Sequence, residues 1–262
     1  GLFDVKYNRW DKNILKALGV HESFLPDIVP TGTIVGYYKK IPVYVSVGDL
    51  QAAVAGSFLG EGQLSINIGT GSQVSYISDI FKPGNYDIRS YFDGKFLYTV
   101  THLPAGRALN VITQFIEDIG DRIYGKKGID VWQKLGKLIV KKQDSEGLSA
   151  RISFFKNNAI GFSDGYVLGI TEKNWTVDNL FYAALENMAE NYWNAYQRFG
   201  KRNVREIILS GGLVCKLQPL QKLIQKRFGI KASLGKNEEE TLGGLLLLSS
   251  VIARKASKIV RV

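Results

Sequence analysis

Strand-like and helix-like segments alternate in the last quarter of the chain, and this alternation limits the possible folds more than any other feature. The pattern predicts a strand over 206–209, a helix over 217–228, a strand over 231–234 and a helix over 239–254. Strands joined through a helix in this way run parallel, with right-handed crossovers. The end of the chain is therefore predicted to form a parallel segment of sheet covered by helices.

An antiparallel arrangement is predicted earlier in the chain. Three extended runs, at 64–68, 73–78 and 96–101, follow the glycine-rich break at 60–62. The third run is entered through Asp93-Gly94, a dipeptide that favours tight hairpins. The three runs predict a meander, so the complete sheet is expected to have five strands of mixed direction.

The remaining segments predict helices and two short strands. The helices are 105–124, 131–140 and a long one that Thr176 can cap and that ends near Phe199, and the strands are 152–155 and 166–170, around a loop containing Asn157 and Asn158. Five aromatic residues recur along the long helix: Tyr182, Tyr192, Trp193, Tyr196 and Phe199. Such a stripe usually packs in a core or forms a subunit contact, so a homodimer stays open.

An aspartate is predicted to lie where a strand gives way to a helix. The strand covers 43–47, Asp49 follows, and a helix that Asp49 can cap covers 50–58. About twenty residues later, Gly69-Thr70-Gly71 joins two of the extended runs. Transfer of a phosphoryl group to an alcohol needs a base near the hydroxyl, backbone donors around the phosphates, and a metal.

Asp49 can be that base, and the glycine turn can be the phosphate cradle. Glycine lets the backbone approach a phosphate closely and permits positive φ angles, while the turn's N–H groups form an anion-binding concavity. Each motif also has a simpler interpretation. Most Gly-x-Gly triplets are ordinary hairpin turns, and an Asp before a helix is often only its N-cap.

Several motifs in order resemble those of the FGGY carbohydrate kinases. Gly48-Asp49-Leu50-Gln51, followed by Gly69-Thr70-Gly71, is similar to that family, and Gly-Asp-Leu-Gln resembles its sedoheptulokinase branch. Shorter matches extend the resemblance over nearly the whole chain: Gly1 to Asp4, Trp10-Asp11, Leu18-Gly19, Leu25-Pro26, Val35-Gly36, Ser210-Gly211-Gly212 and Leu242 to Leu245. The resemblance implies an α/β, ribonuclease H-like lobe of the actin, Hsp70 and sugar kinase superfamily, in agreement with a mixed five-stranded sheet flanked by helices.

The resemblance also implies roles for individual residues. Asp49 corresponds to the catalytic base and, with Gln51, contacts the substrate. Gly69, Thr70 and Gly71 correspond to the turn that holds the phosphate. The positions implied to contact the nucleotide are Gly106, Asn110, Gly211, Gly212 and Lys216, although for Gly106 and Asn110 a helix start that needs a small residue is an equal alternative.

The implied activity is transfer of the γ-phosphate of ATP, with Mg²⁺, to a hydroxyl of a sugar, with a ketose such as sedoheptulose as the favoured acceptor. Three departures from the family pattern leave a second class open. Leu50 replaces a glutamine, Lys216 replaces an asparagine that touches adenine in relatives, and the loop 156–161 lacks Gly-Glu-Arg. The alternative is a non-catalytic, actin-like nucleotide-binding switch or scaffold.

The resemblance further implies that the chain is only part of such a kinase. Residues 1–60 resemble the tail of the N-terminal lobe, with the catalytic Asp motif, and residues 61–262 resemble the C-terminal nucleotide-binding lobe. The chain starts at Gly1 and lacks the Asp-x-Gly-Thr turn of the first lobe. The expected partners are a sugar, ATP and the missing N-terminal lobe.

Composition narrows the remaining function classes. The net charge of +10 comes from basic residues scattered along the chain, without a nucleic-acid-binding module, so no nucleic acid partner is expected. No apolar run reaches the roughly 18 residues of a membrane span, and no signal peptide is recognised, which predicts a cytoplasmic protein. Two scattered histidines and the lone Cys215, predicted to be a buried thiol, indicate no metal site. Glu238 to Glu240 are expected to interact with a helix dipole.

Overall fold

The computed structural model describes residues 1–57, 59–156, 159–236 and 239–259, the last seven of them by their backbone only. Two compact units can be distinguished. Unit 1 comprises Gly1–Leu59, Tyr76–Thr99 and Glu239–Val262, and unit 2 comprises Gly60–Ser75 and Val100–Glu238. The boundary predicted near residue 60 separates the two lobes of a longer kinase. The two units of this chain do not test it, so it stays a prediction.

The helices and strands are numbered in chain order. The first half contains β1 (Phe3–Asp4), β2 (Arg9–Trp10), α1 (Lys12–Leu18), β3 (Ile34–Tyr38), β4 (Ile41–Tyr44), α2 (Asp49–Gly56), β5 (Gln63–Ile68), β6 (Ser72–Ser78), β7 (Asp87–Ser90), β8 (Phe96–Leu103) and α3 (Gly106–Tyr124). The second half contains α4 (Val131–Ile139), β9 (Ser149–Arg151), β10 (Tyr166–Leu168), α5 (Val177–Gln197), β11 (Glu206–Ser210), α6 (Gly212–Lys216), α7 (Gln218–Phe228), β12 (Lys231–Leu234) and α8 (Glu240–Ile259).

The largest sheet has the strand order β12-β11-β5-β6-β8-β7. Strands β12, β11 and β5 are parallel, with Glu206 opposite both Lys231 and Gln63, whereas β7 and β8 are antiparallel. The predicted α/β class and mixed sheet are confirmed, but among the described residues the sheet has six strands and not five. The additional strand, β7, was missed because its four residues, Asp-Ile-Arg-Ser, alternate between exposed and half-buried positions and form no apolar run.

Unit 2 has a buried core to which strand β5 and helix α5 both contribute. Leu64, Ile66 and Ile68 on β5 are fully buried, as are Phe181 and Tyr192 on α5. The Tyr192 hydroxyl donates to the Pro104 carbonyl at 3.2 Å, which satisfies the polar end of a buried ring. Burial also extends to Tyr182, Tyr196 and Phe199. The interpretation of the aromatic stripe as core packing is therefore confirmed for these four residues, whereas Trp193 is only half-buried.

Unit 1 contains a close helix crossing between α2 and α8. A Cβ atom added to Gly56 would overlap the Glu240 carbonyl, and one added to Gly244 would overlap the Ala52 carbonyl. Glycine at both positions lets the two backbones touch directly. The crossing fixes α2, the helix that begins at Asp49.

Several predicted boundaries differ from the observed ones. The strand expected over 43–47 is β4 (Ile41–Tyr44), which pairs only with β3 in a two-stranded sheet. The helix expected over 217–228 is α7 (Gln218–Phe228), which starts one residue later because Leu217 (φ −112°, ψ 77°) is its non-helical N-cap. The strand expected over 152–155 is β9 (Ser149–Arg151).

The structure tests the prediction for Cys215, whereas some other predicted positions lie outside the described residues. Cys215 is exposed, so its prediction as a buried thiol is wrong: it lies on the outer face of the short helix α6. Phe58, Asn157, Asn158 and Glu238 lie outside the described residues. In the part that is described, every helix is too short or too polar to cross a membrane.

Candidate functional site

The turn Gly69-Thr70-Gly71 joins β5 to β6 at the end of the parallel part of the sheet. The Gly69 amide donates to the Gly71 carbonyl at 2.9 Å and closes the turn. Neither glycine has a positive φ, so the turn does not use the left-handed conformations that glycine permits. A Cβ on Gly71 would meet nothing within 4 Å, and one on Gly69 would meet only the Gly71 carbonyl at 3.9 Å. The glycines therefore leave open space in front of the turn.

The first residues of helix α3 hold this turn in place. The Gly106 amide donates to the Gly69 carbonyl at 3.1 Å, and the Arg107 amide donates to the Thr70 carbonyl at 2.9 Å. A Cβ on Gly106 would lie 2.9 Å from the Gly69 carbonyl oxygen. Gly106 is thus needed for the close approach of helix and turn. Because its amide is already bonded, it positions the turn and does not offer that donor to a ligand.

The end of β11 lies beside the end of β5, the strand that leads into the glycine turn. Asn67 on β5 donates from its side-chain amide to the Ser210 hydroxyl at 3.0 Å. Gly211 has φ 93°, and a Cβ there would lie 2.5 Å from the Ile68 carbonyl oxygen. No other residue fits this position without moving the β5 backbone. Gly212, the first residue of α6, faces open space instead.

These segments surround a cavity of about 840 Å³ that lies entirely within unit 2. Its size falls within the roughly 300–1,000 Å³ range of ligand sites. Six of the predicted residues line it together: Gly69, Thr70, Gly106, Asn110, Gly212 and Lys216. Gly71 and Gly211 adjoin the cavity along the chain but do not line it.

Trp132 and Arg107 are two of the wall residues that were not predicted from the sequence. The Trp132 indole N–H donates to the Asn110 side-chain oxygen at 3.1 Å, and its ring meets Phe181 edge-on, with 5.8 Å between centroids. Arg107 also lines the cavity, and its guanidinium lies over the Phe155 ring at 3.9 Å. Because Arg107 directly follows the predicted residue Gly106, the sequence could have indicated that it lies at the site. Trp132 comes from a separate helix, and no local pattern points to it.

The cavity wall carries more positive than negative side chains. Its charged members are Arg107, Lys137, Lys216 and Asp130. The Asp130 carboxylate caps helix α4 by accepting from the Gln133 amide at 2.9 Å. Three cations and one carboxylate that already has a backbone partner suit an anionic ligand.

A metal held by protein side chains alone is not indicated in the described chain. Among the described residues, no group of three or more His, Cys, Asp or Glu side chains could hold a metal ion. Mg²⁺ commonly keeps several waters and is bound by one or two carboxylates together with substrate phosphates. The residues of the cavity therefore fit a Mg²⁺ ion only if the phosphates of a nucleotide supply most of its ligands.

Asp49 and Gln51 lie in unit 1, on the first turn of α2. The predicted N-cap role of Asp49 is wrong, because the helix starts at Asp49 and the N-cap is Gly48. Asp49 is exposed, and its carboxylate accepts from the Leu50 amide at 2.7 Å. Gln51 donates to the Ser90 carbonyl at 3.3 Å, and its side-chain oxygen lies where a Cβ on Gly48 would be. The carboxylate is thus open to a ligand, while the Gln51 side chain is fixed.

Comparison with known proteins finds kinases that are similar to this chain at low sequence identity. No family model matches the chain. A glycerol kinase of Saccharolobus islandicus is 27% identical over 266 residues, which cover 95% of this chain and 51% of the relative. These relatives indicate the FGGY carbohydrate kinase family. The chain spans about half the length of the curated kinases it matches.

Solved structures show the fold. A gluconate kinase from Lactobacillus acidophilus has a TM-score of 0.83 at 15% identity, over 96% of this chain and 53% of the other. The glycerol kinase of Plasmodium falciparum, solved with ADP, has a TM-score of 0.75 at 17% identity, over 96% of this chain and 55% of the other. The chain therefore has the actin, Hsp70 and sugar kinase fold. The sedoheptulokinase-like branch of the FGGY family is not confirmed.

Proposed function

We propose that this chain is the part of an ATP-dependent carbohydrate kinase that carries the acceptor base and the nucleotide site. The observation that carries the proposal is the cavity of unit 2. There the glycine turn, the start of α3 and the helix after β11 come together, although they are distant in sequence. The kinase names of the curated relatives, and the ADP with which one similar structure was solved, support the same assignment.

The cavity is suited to a nucleoside triphosphate. The open space in front of Gly69 and Gly71 can admit a phosphate group, with the Thr70 hydroxyl as a donor beside it. Lys216, Asn110 and Trp132 line the same cavity and offer polar and flat surfaces to the remainder of the nucleotide. When bound, Mg²⁺ supplies positive charge that neutralises the phosphate oxygens.

Asp49 is assigned as the base of the transfer. Its carboxylate accepts the proton of the acceptor hydroxyl while the oxygen of that hydroxyl forms a bond to the γ-phosphorus. The bond from that phosphorus to the oxygen bridging the β-phosphate breaks, and ADP leaves. Because the transition state is loose, alignment contributes more than basicity, and an ordinary carboxylate suffices. Gln51, whose side chain donates to the Ser90 carbonyl, is proposed to orient the acceptor.

The acceptor is proposed to be a sugar or polyol. The relatives and similar structures are named for glycerol and gluconate, and these names support the class without selecting a member. Leu50 stands where the resemblance implies a glutamine in glycerol kinase-like members, and this departure argues against glycerol. The similar structures also include xylulose kinases, and xylulose is a ketose, whereas sedoheptulose itself is supported only by the Gly-Asp-Leu-Gln sequence.

We also propose the wider setting of the chain. Residues 1–60 belong to the tail of an N-terminal lobe and residues 61–262 to the C-terminal lobe, and the rest of the first lobe completes the enzyme. The half-length match to the relatives supports this. A cytoplasmic location and a homodimer are further parts of the proposal, and size-exclusion chromatography with light scattering tests the dimer.

The test is phosphorylation by the protein in its natural full length. ADP release is measured with ATP, Mg²⁺ and a panel of glycerol, gluconate, xylulose and sedoheptulose, beside ATP binding by calorimetry. Turnover that depends on one acceptor is the expected result. ATP binding without turnover on any acceptor would instead support the nucleotide-binding switch, and failure to bind ATP would contradict both functions.

A further inference from the structure

Arg107 combines two contacts at the cavity proposed for the nucleotide, one through its backbone and one through its side chain. Arg107 is the second residue of α3, and its backbone amide donates to the Thr70 carbonyl at 2.9 Å. Its side chain lines the cavity beside Gly69 and Thr70. The same residue therefore holds the phosphate turn with its backbone and brings a permanent positive charge next to that turn.

The guanidinium of Arg107 is held by an aromatic ring and not by a carboxylate. Its central carbon lies 3.9 Å from the centroid of the Phe155 ring. Within the described residues, the Phe155 ring is the partner that the structure shows for the Arg107 side chain. By contrast, Arg122 pairs with Asp118 at 2.7 Å, and Arg151 pairs with Asp164 at 2.8 Å.

Stacking of this kind fixes the guanidinium and leaves its donors available. A ring face attracts the cation without using its N–H groups, which point outward in the guanidinium plane. A planar fork of five donors matches phosphate oxygens and can bind two of them at once. An arginine with no carboxylate partner in the described chain, beside an open glycine turn, is thus preorganised for a phosphate.

We propose that Arg107 binds the phosphate chain of the nucleotide and so favours nucleoside triphosphates over nucleosides at this site. This inference rests on the proposed nucleotide site and adds to it a residue that selects for phosphate. The glycine turn supplies the space and the backbone dipoles, and Arg107 supplies the fixed charge.

The experiment compares ATP and adenosine binding by the full-length protein and its Arg107→Gln variant. Dissociation constants are measured by displacement of a fluorescent nucleotide, at several salt concentrations. The matched control is Arg122→Gln, which makes the same change on the same helix but at an arginine already paired with Asp118. Arg107→Lys keeps the charge and loses the planar fork, and thermal melting checks that each variant is folded.

The expected result is a loss of ATP affinity of about 10- to 100-fold in Arg107→Gln, as for a lost hydrogen bond to a charged group. Adenosine affinity should not change, the salt dependence of ATP binding should weaken, and Arg107→Lys should recover part of the loss. Arg122→Gln should bind both ligands like the wild type.

Three results would overturn the inference. If Arg107→Gln binds ATP within twofold of the wild type, Arg107 is not a phosphate ligand, and the proposed nucleotide site is unaffected. If ATP and adenosine lose affinity equally, Arg107 only supports the fold of the cavity. If the wild type binds no ATP, the proposed function and this inference fall together.

Discussion

At the scale of single residues, Asp49 carries the proposed chemistry, and Asp49→Asn tests it. The amide keeps the size of the side chain and can still accept from the Leu50 amide, but it cannot take up the acceptor's proton. We expect kcat to fall by about 10²- to 10⁴-fold, the usual contribution of a general base. ATP affinity should not change, because the cavity lies in unit 2. Steady-state ADP release checks this, and unchanged turnover would remove Asp49 as the base.

Glu206 gives a second residue-scale prediction, on pH. Hydrogen bonds from Ser233 and from Gln63, both at 2.8 Å, lower the pKa of Glu206 below its usual range. A carboxylate with a lowered pKa in the folded state contributes stability above its unfolded pKa, and this stability is lost as the pH falls through the folded value. Glu206→Gln should therefore lose less stability than the wild type on acidification from about pH 7 to below pH 4. Urea unfolding at both pH values measures the difference, and parallel losses in the two proteins would contradict it.

At the scale of elements, the crossing of α2 and α8 depends on two glycines. In Gly244→Ala the new methyl group would overlap the Ala52 carbonyl, so the helices must separate. We expect a loss of about 1–3 kcal/mol, the usual cost of overpacking. Gly120→Ala on α3 is the control, because the nearest atom to its Cβ is a flexible Ile129 methyl at 3.4 Å, and alanine should gain up to about 1 kcal/mol of helix propensity. Thermal unfolding of both variants provides the test, and an undisturbed melting temperature in Gly244→Ala would show that the helices separate at little cost.

The elements also show what a sequence can and cannot predict. Strand β12 and helices α3 and α4 were predicted within a residue or so, because apolar periodicity and caps are local signals. Strand β7 was missed, since its stability comes from pairing with β8 and not from its own side chains. The glycine turn and Gly106 were predicted individually, but the hydrogen bond between them joins segments that are far apart in the sequence. Trp132 was missed for the same reason, because a cavity wall is assembled by tertiary packing.

At the scale of the whole molecule, the residues proposed to bind the nucleotide and those proposed to contact the acceptor belong to different units. The cavity proposed for the nucleotide is lined by unit 2 alone, and Asp49 and Gln51, which are proposed to contact the acceptor, belong to unit 1. Binding to the folded state alone stabilises a protein by about 2.7 kcal/mol when the ligand is at 100 times its Kd. For a chain of this size that corresponds to a rise in melting temperature of about 5–10 °C.

This division predicts which variants lose the thermal response to ATP. Asp49→Asn should keep the full rise in melting temperature. Gly212→Val should lose most of it, since its side chain would occupy cavity space that is now open, while its melting temperature without ATP stays close to that of the wild type. Differential scanning fluorimetry with and without ATP makes the comparison. Loss of the response in Asp49→Asn, or its retention in Gly212→Val, would place the nucleotide elsewhere than in the unit 2 cavity.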